Sequence, residues 1–253
     1  MKTFLLLIVI SFGLVTLIYI YENFDQILFA PGLPAPTGNG AGASPEIQPL
    51  GTRDSVVRPP VTINSARPRQ IGLTSQVQAG EKINLTGWRL QGNHGAYFIP
   101  PAVDVFEPES QNEPQDLYLG AGERVNIYSG PAPLSRNLRL NVCLGYLDQS
   151  LAQNCPFFQR QEIQHLAGGC QNFIISLTGC RLPPPNPAVA LNDACAQFLN
   201  QINYKSCFYK HRPDDNFLSR EWRLWEMAEF LDELHDVVRL YDREGKLADE
   251  YVY

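Results

Sequence analysis

Short runs of alternating apolar and polar residues, each closed by glycine or proline, recur along most of the chain. Val61 and Ile63 alternate with Thr62 and Asn64; Ile71, Leu73 and Ser75 alternate with Gly72, Thr74 and Gln76; Leu138, Leu140 and Val142 make another such run. Alternation of period two sends every second side chain to the same face, so each run predicts a half-buried strand. Residues 96–99 read as a strand stopped by Pro100 and Pro101, and further strands are expected around Leu117 and Leu119 and around Val125 and Ile127. Gln78-Ala79-Gly80-Glu81, residues 91–95 and Gly120-Ala121-Gly122-Glu123 supply the turns. Short strands at this spacing predict a mainly β fold, a β-sandwich rather than a parallel sheet.

The run Ile83-Asn84-Leu85-Thr86-Gly87-Trp88-Arg89-Leu90 is the centre of this pattern. Gly87 shifts the alternation by one, as a bulge would, and lets Leu85 and Trp88 both face inward. Trp88 is then a core residue, and burying its indole is worth roughly 2–3 kcal/mol.

The beginning of the chain follows a different rule. Lys2 precedes the apolar stretch 4–21, which only Ser11, Gly13 and Thr16 interrupt, and Glu22 and Asp25 follow it. About 18 residues at 1.5 Å rise span most of a hydrocarbon core roughly 30 Å thick. Residues 1–29 are therefore expected to be one transmembrane anchor with a cytoplasmic N-terminus and the remainder outside. A cleaved signal peptide is the competing reading, but residues 19–28 are large or charged where a cleavage site needs small ones. Residues 30–60 are rich in Pro, Gly, Ala and Ser and read as an extended spacer. The folded part is expected over 61–253.

Three stretches in order, Leu85-Thr86-Gly87-Trp88-Arg89-Leu90, then Leu119-Gly120-Ala121-Gly122-Glu123-Arg124-Val125, then Val238-Arg239-Leu240-Tyr241-Asp242-Arg243-Glu244-Gly245-Lys246-Leu247-Ala248-Asp249, resemble landmarks of the lamin-tail domain. The resemblance covers roughly 61–147 and 235–253. It implies an immunoglobulin-like β-sandwich, of the kind found in membrane-anchored bacterial proteins of unknown function. The chain departs from that family in the long stretch from about 148 to 234, which is expected to be an insertion.

Cys143, Cys155, Cys170, Cys180, Cys195 and Cys207 lie in or next to this insertion, an even number with no Cys-x-x-Cys pair. On the outer side of a membrane they are expected to form disulfides, and six cysteines permit fifteen pairings. Pairing in succession (143 with 155, 170 with 180, 195 with 207) would close three loops of about a dozen residues, each worth roughly 2–3 kcal/mol. Zinc, with His165 and His211 as added ligands, is the alternative, but the spacings match no common structural zinc pattern. Asp193 is placed to cap a helix running to about 203, and 159–166 predicts another. Trp222, Leu224 and Trp225 fit either a strand or the start of a helix through Phe230 and Leu234.

No motif for a serine nucleophile, a zinc protease or a phosphate-cradling loop occurs, and no cofactor site is indicated. Glu226, Glu229, Asp232, Glu233 and Asp236 form an acidic cluster, read first as helix-surface charge and second as a calcium or paired-carboxylate site. Asn84-Leu85-Thr86 is a glycosylation acceptor by sequence. The net charge of −6 argues against nucleic acid. These features together predict an envelope-anchored, outward-facing module without catalysis, used for binding an envelope or extracellular protein or a glycan, or for surface architecture. The alternatives are an extracytoplasmic hydrolase using carboxylates of the insertion, and a structural tether that associates with its own copies.

Overall fold

Val61 and Ile63 stand in β1 (Val61–Arg67), which pairs antiparallel with β2 (Gln70–Ser75). The computed structural model describes residues 59–185, 187, 192–228 and 230–253, all inside one unit spanning Ser55–Tyr253. The expected anchor and nearly all of the expected spacer lie outside the described residues. Among the described residues, no helix is long and apolar enough to cross a membrane.

The strands that follow are β3 (Lys82–Asn84), β4 (Arg89–Gln91), β5 (Ala96–Phe98), β6 (Tyr118–Gly120), β7 (Arg124–Ser129) and β8 (Leu138–Asn141). After a helical stretch come β9 (Leu218–Glu226), β10 (Val237–Tyr241) and β11 (Leu247–Val252). One sheet has the order β1-β2-β7-β9-β8, a second β11-β10-β4-β5, and β3 pairs with β6 alone. Only β7 and β9 run parallel among the paired strands; the other pairs are antiparallel. The fold is thus mainly β, and the two larger sheets contribute to one buried cluster in a manner consistent with a β-sandwich. Ile71, Leu73, Val125, Ile127 and Trp222 enter that cluster from the first sheet, and Leu90, Tyr97, Val238 and Leu240 from the second.

The run 83–90 is two strands instead of one. Leu85 to Trp88 form a tight turn, closed by the Trp88 N–H on the Leu85 carbonyl at 3.0 Å, and Gly87 takes φ +84°. β3 pairs with β6 whereas β4 pairs with β5 and β10, so the chain changes sheets at this turn. Both Leu85 and Trp88 are buried, as expected. The left-handed φ at Gly87 lets the two side chains enter the same core three residues apart.

β9 decides between the two alternatives for Trp222, Leu224 and Trp225. Trp222, Leu224 and Trp225 belong to a strand in the interior of the first sheet, not to a helix, and Trp222 and Leu224 alternate into the core. Asn141, ending β8, pairs with Leu218, opening β9. The segment that connects β8 to β9 therefore runs from 142 to 217, whereas the expected insertion ran from about 148 to 234 and would have included β9. Adjacent antiparallel strands need only a tight turn between them; here that connection is a helical lobe.

The lobe holds two single-turn 3-10 helices, Leu144–Tyr146 and Gln149–Leu151, and helices α1 (Arg160–Ile163), α2 (Gly168–Ser176), α3 (Asp193–Asn200) and α4 (Tyr204–His211). The expected helix from 193 to about 203 is α3, which ends at Asn200, and a second helix, α4, follows it from Tyr204. The side chain of Asn192, not Asp193, accepts the Cys195 N–H and starts α3, and the Asn203 side chain accepts the Ser206 N–H and starts α4. Asparagine at these positions satisfies donors that a continuous helix would have turned inward. The expected 159–166 helix is the single turn α1, begun by a capping box between Gln159 and Glu162. The lobe has its own buried cluster, which Leu138 and Leu140 of β8 enter from the sheet.

Candidate functional site

The six cysteines form three disulfides: Cys143–Cys207, Cys155–Cys180 and Cys170–Cys195. Successive pairing is not what the fold uses. α2 and α3 pack together through Cys170 and Cys195, both buried, and this brings cysteines from distant parts of the lobe into contact. The bridges 155–180 and 170–195 cross in sequence, and 143–207 encloses both. The last of these ties α4 to the chain just after β8.

Beside Cys207 lies a cavity of about 260 Å³. Phe158 and Phe198 meet edge to face at 5.8 Å between ring centres, and Ile202 and Tyr146 extend the apolar wall. Phe157 stands at the mouth, 75% exposed. An exposed phenylalanine beside an apolar concavity is the kind of surface that a bound group would cover. α4 contributes Ser206, Lys210 and His211 to the same cavity.

The polar groups of this rim are unequally occupied. Lys210 Nζ donates to Glu162 Oε1 at 2.6 Å, and the other oxygen of Glu162 accepts the Gln159 N–H at 3.3 Å. Burial raises the Glu162 pKa, but the bonds from Lys210 and Gln159 outweigh it and hold the carboxyl below its ordinary range. His211 Nδ1 lies 2.8 Å from Asp214 Oδ2, which leaves Nε2 as its available ring nitrogen. Asn203 is used at both ends, its amide donating to the Asn200 carbonyl and its oxygen capping α4.

No family model matches the chain, and no curated protein matches it.

The structure scatters the expected acidic cluster. The described residues between β9 and β10, 227, 228 and 230–236, are neither helix nor strand, so their charge does not lie on a helix surface; Glu229 lies outside the described residues. Asp236 is buried and accepts the N–H groups of Asn93, at 3.0 and 3.1 Å to its two oxygens, of Asp232 at 2.8 Å and of Val237 at 2.6 Å. Asp232 accepts from Leu234 and His235, which lowers its pKa, and Glu226 accepts from Ala228. These carboxylates organise the loop. Among the described residues, no group of three or more His, Cys, Asp and Glu is arranged to hold a metal ion. His165 lies near the Phe198 ring at 6.3 Å between centres, and His211 is taken up with Asp214.

Asn84 is likewise engaged: its amide donates to Asp116 at 2.7 Å, its oxygen accepts the Thr86 N–H, and Thr86 Oγ accepts the Leu117 N–H. One buried carboxylate that sequence reading missed is Glu221 on β9. It accepts from Arg124 and Gln153 on one oxygen and from Arg223 on the other. Burial pushes the Glu221 pKa up, yet the bonds from Arg223 and Arg124 bring it below the ordinary value. Because Gln153 belongs to the lobe and Arg124 and Arg223 to the sheet, Glu221 joins the two.

The pocket residues were also missed by sequence reading. The available signal was the pair Phe157-Phe158, standing in an otherwise polar stretch directly after Cys155 and Pro156. Phe198 and Ile202 fall in the stretch that predicts a helix from Asp193 to about 203.

Proposed function

We propose that this chain is a membrane-anchored, outward-facing immunoglobulin-like domain of the lamin-tail type, whose disulfide-bonded lobe binds an envelope or extracellular partner. The observation that carries this reading is the complete pairing of the six cysteines in the lobe that holds the apolar pocket, with Cys207 in the pocket wall. Three disulfides are at home in an oxidising compartment. They also fix the walls of the pocket before any ligand arrives, which lowers the ordering cost of binding. The apolar stretch 4–21 supports the anchor, and the Pro-rich 30–60 supports a spacer between membrane and domain. The order of the Gly-Trp turn, the Gly-Ala-Gly turn before β7 and the terminal β10–β11 hairpin supports the lamin-tail resemblance.

A binding role is favoured over hydrolysis because Asp236, Asp232 and Glu221 already accept backbone or guanidinium hydrogen bonds. The reading is tested by treating intact cells that express the full chain with a protease that cannot enter them. Cleavage of the domain without permeabilisation is expected. Protection until the cells are opened would overturn the outward-facing assignment.

A further inference from the structure

α4 brings open hydrogen-bond donors to the aromatic pocket. Glu162 accepts one hydrogen bond on each oxygen and is charge-paired with Lys210. The side chain of Asn203 is likewise used at both ends. Lys210 carries three N–H groups and donates one to Glu162. Ser206 contributes a hydroxyl. Ser206 and Lys210 are four residues apart on α4 and so share one face, close enough to meet a single two-oxygen group. The partial negative charge at the C-terminal end of α4 opposes an anion there, but Lys210 sits in that last turn and offsets it.

Below these donors the cavity is aromatic and aliphatic. Its volume of about 260 Å³ falls just under the roughly 300–1,000 Å³ of pockets for drug-sized ligands. That space suits one ring or a short branched chain. We propose that the pocket takes an apolar group ending in a carboxylate, an aryl or branched alkyl acid, with the ring or chain between Phe158, Phe198 and Ile202 and the carboxylate on Lys210 and Ser206. This rests on the binding role assigned to the lobe and gives it a ligand class. The same chemistry is offered by a free acid and by the C-terminal residue of a peptide ending in phenylalanine or leucine.

The test is saturation-transfer NMR on the full chain in lipid nanodiscs, with empty nanodiscs subtracted. The probes are 3-phenylpropionate, 3-phenylpropionamide and 3-phenylpropylamine, followed by the tripeptide Gly-Gly-Phe with a free and with an amidated C-terminus. A charge-assisted hydrogen bond distinguishes acid from amide by roughly 10- to 100-fold, so the acid is expected to bind at least about tenfold tighter than either neighbour. Lys210→Gln should abolish that preference. Phe157→Ala, at an exposed position where folding is not at stake, should weaken all three probes and keep their order. Saturable binding of the free-acid tripeptide assigns the ligand to a chain end, and binding of 3-phenylpropionate alone assigns it to a small metabolite. If the amide or the amine binds as tightly as the acid, the carboxylate class is wrong while a binding role at this pocket stands. If none of the probes saturates, the pocket is not a ligand site and the binding role loses it as well.

Discussion

Asn141, the last residue of β8, is the register partner of Leu218, the first residue of β9, although the whole helical lobe separates them in the chain. The side chain of Asn141 secures this entrance. Its oxygen accepts the Cys143 N–H at 3.0 Å and its amide donates to Tyr204 Oη at 3.2 Å, while the Tyr204 hydroxyl donates to the Phe106 carbonyl. The group is buried, so Asn141→Ala leaves a donor unpaired away from water. The expected cost is about 1–3 kcal/mol, read as a lowered urea midpoint.

Cys143–Cys207 spans 64 positions and each of the other bridges 25. In the chain-entropy account a longer loop restrains the unfolded state more, so losing 143–207 costs roughly 4 kcal/mol and losing 170–195 roughly 3.5 kcal/mol. Cys143→Ser with Cys207→Ser should therefore lower the midpoint at least as much as Cys170→Ser with Cys195→Ser. It should also loosen the pocket, because Cys207 lines it. Paired denaturation curves check the order.

Glu221 gives the stability a pH dependence. Its folded pKa lies below the ordinary carboxylate value through its bonds with Arg223 and Arg124, despite burial. Its contribution is therefore fully present above the unfolded pKa of about 4.3 and disappears as pH falls through the lower folded value. Glu221→Gln should cost roughly 2 kcal/mol near neutrality, less than a fully buried pair because Arg124 is half exposed. It should also flatten the loss of stability below about pH 4.3. Denaturation midpoints at several pH values measure both effects.

Asp236 and Glu226 separate structure from chemistry in the acidic loop. Asp236→Ala leaves the N–H groups of Asn93, Asp232 and Val237 without their acceptor and should cost about 2–4 kcal/mol. Glu226 accepts a single N–H near the surface, and Glu226→Ala should stay within about 0.5 kcal/mol. Thermal melts of the two variants give the comparison.

The strands were legible because one face of each is buried: Val61, Ile63, Ile71, Leu73, Val125 and Ile127 all occupy the core that their alternation predicts. Trp88 was legible for the same reason, since a large apolar side chain behind a glycine turn has few other places to go. β9 was ambiguous because it lies inside the sheet with polar groups on its second face. Glu221, Arg223 and Trp225 disguise its period by pairing with Arg124, with each other and with Tyr128. The disulfide pairing was illegible because it depends on how α2, α3 and α4 pack, which spacing does not encode. The pocket was illegible because Phe158 stands ahead of α1 while Phe198 and Ile202 stand at the end of α3, and nothing in their spacing brings them together.

The most direct test of the account is the intact mass of the full chain recovered from the cell envelope and alkylated without and then with reductant. The account predicts no added label before reduction and six labels after it, one for each cysteine between Cys143 and Cys207. Labelling before reduction would contradict an oxidised, outward-facing lobe and with it the preformed pocket.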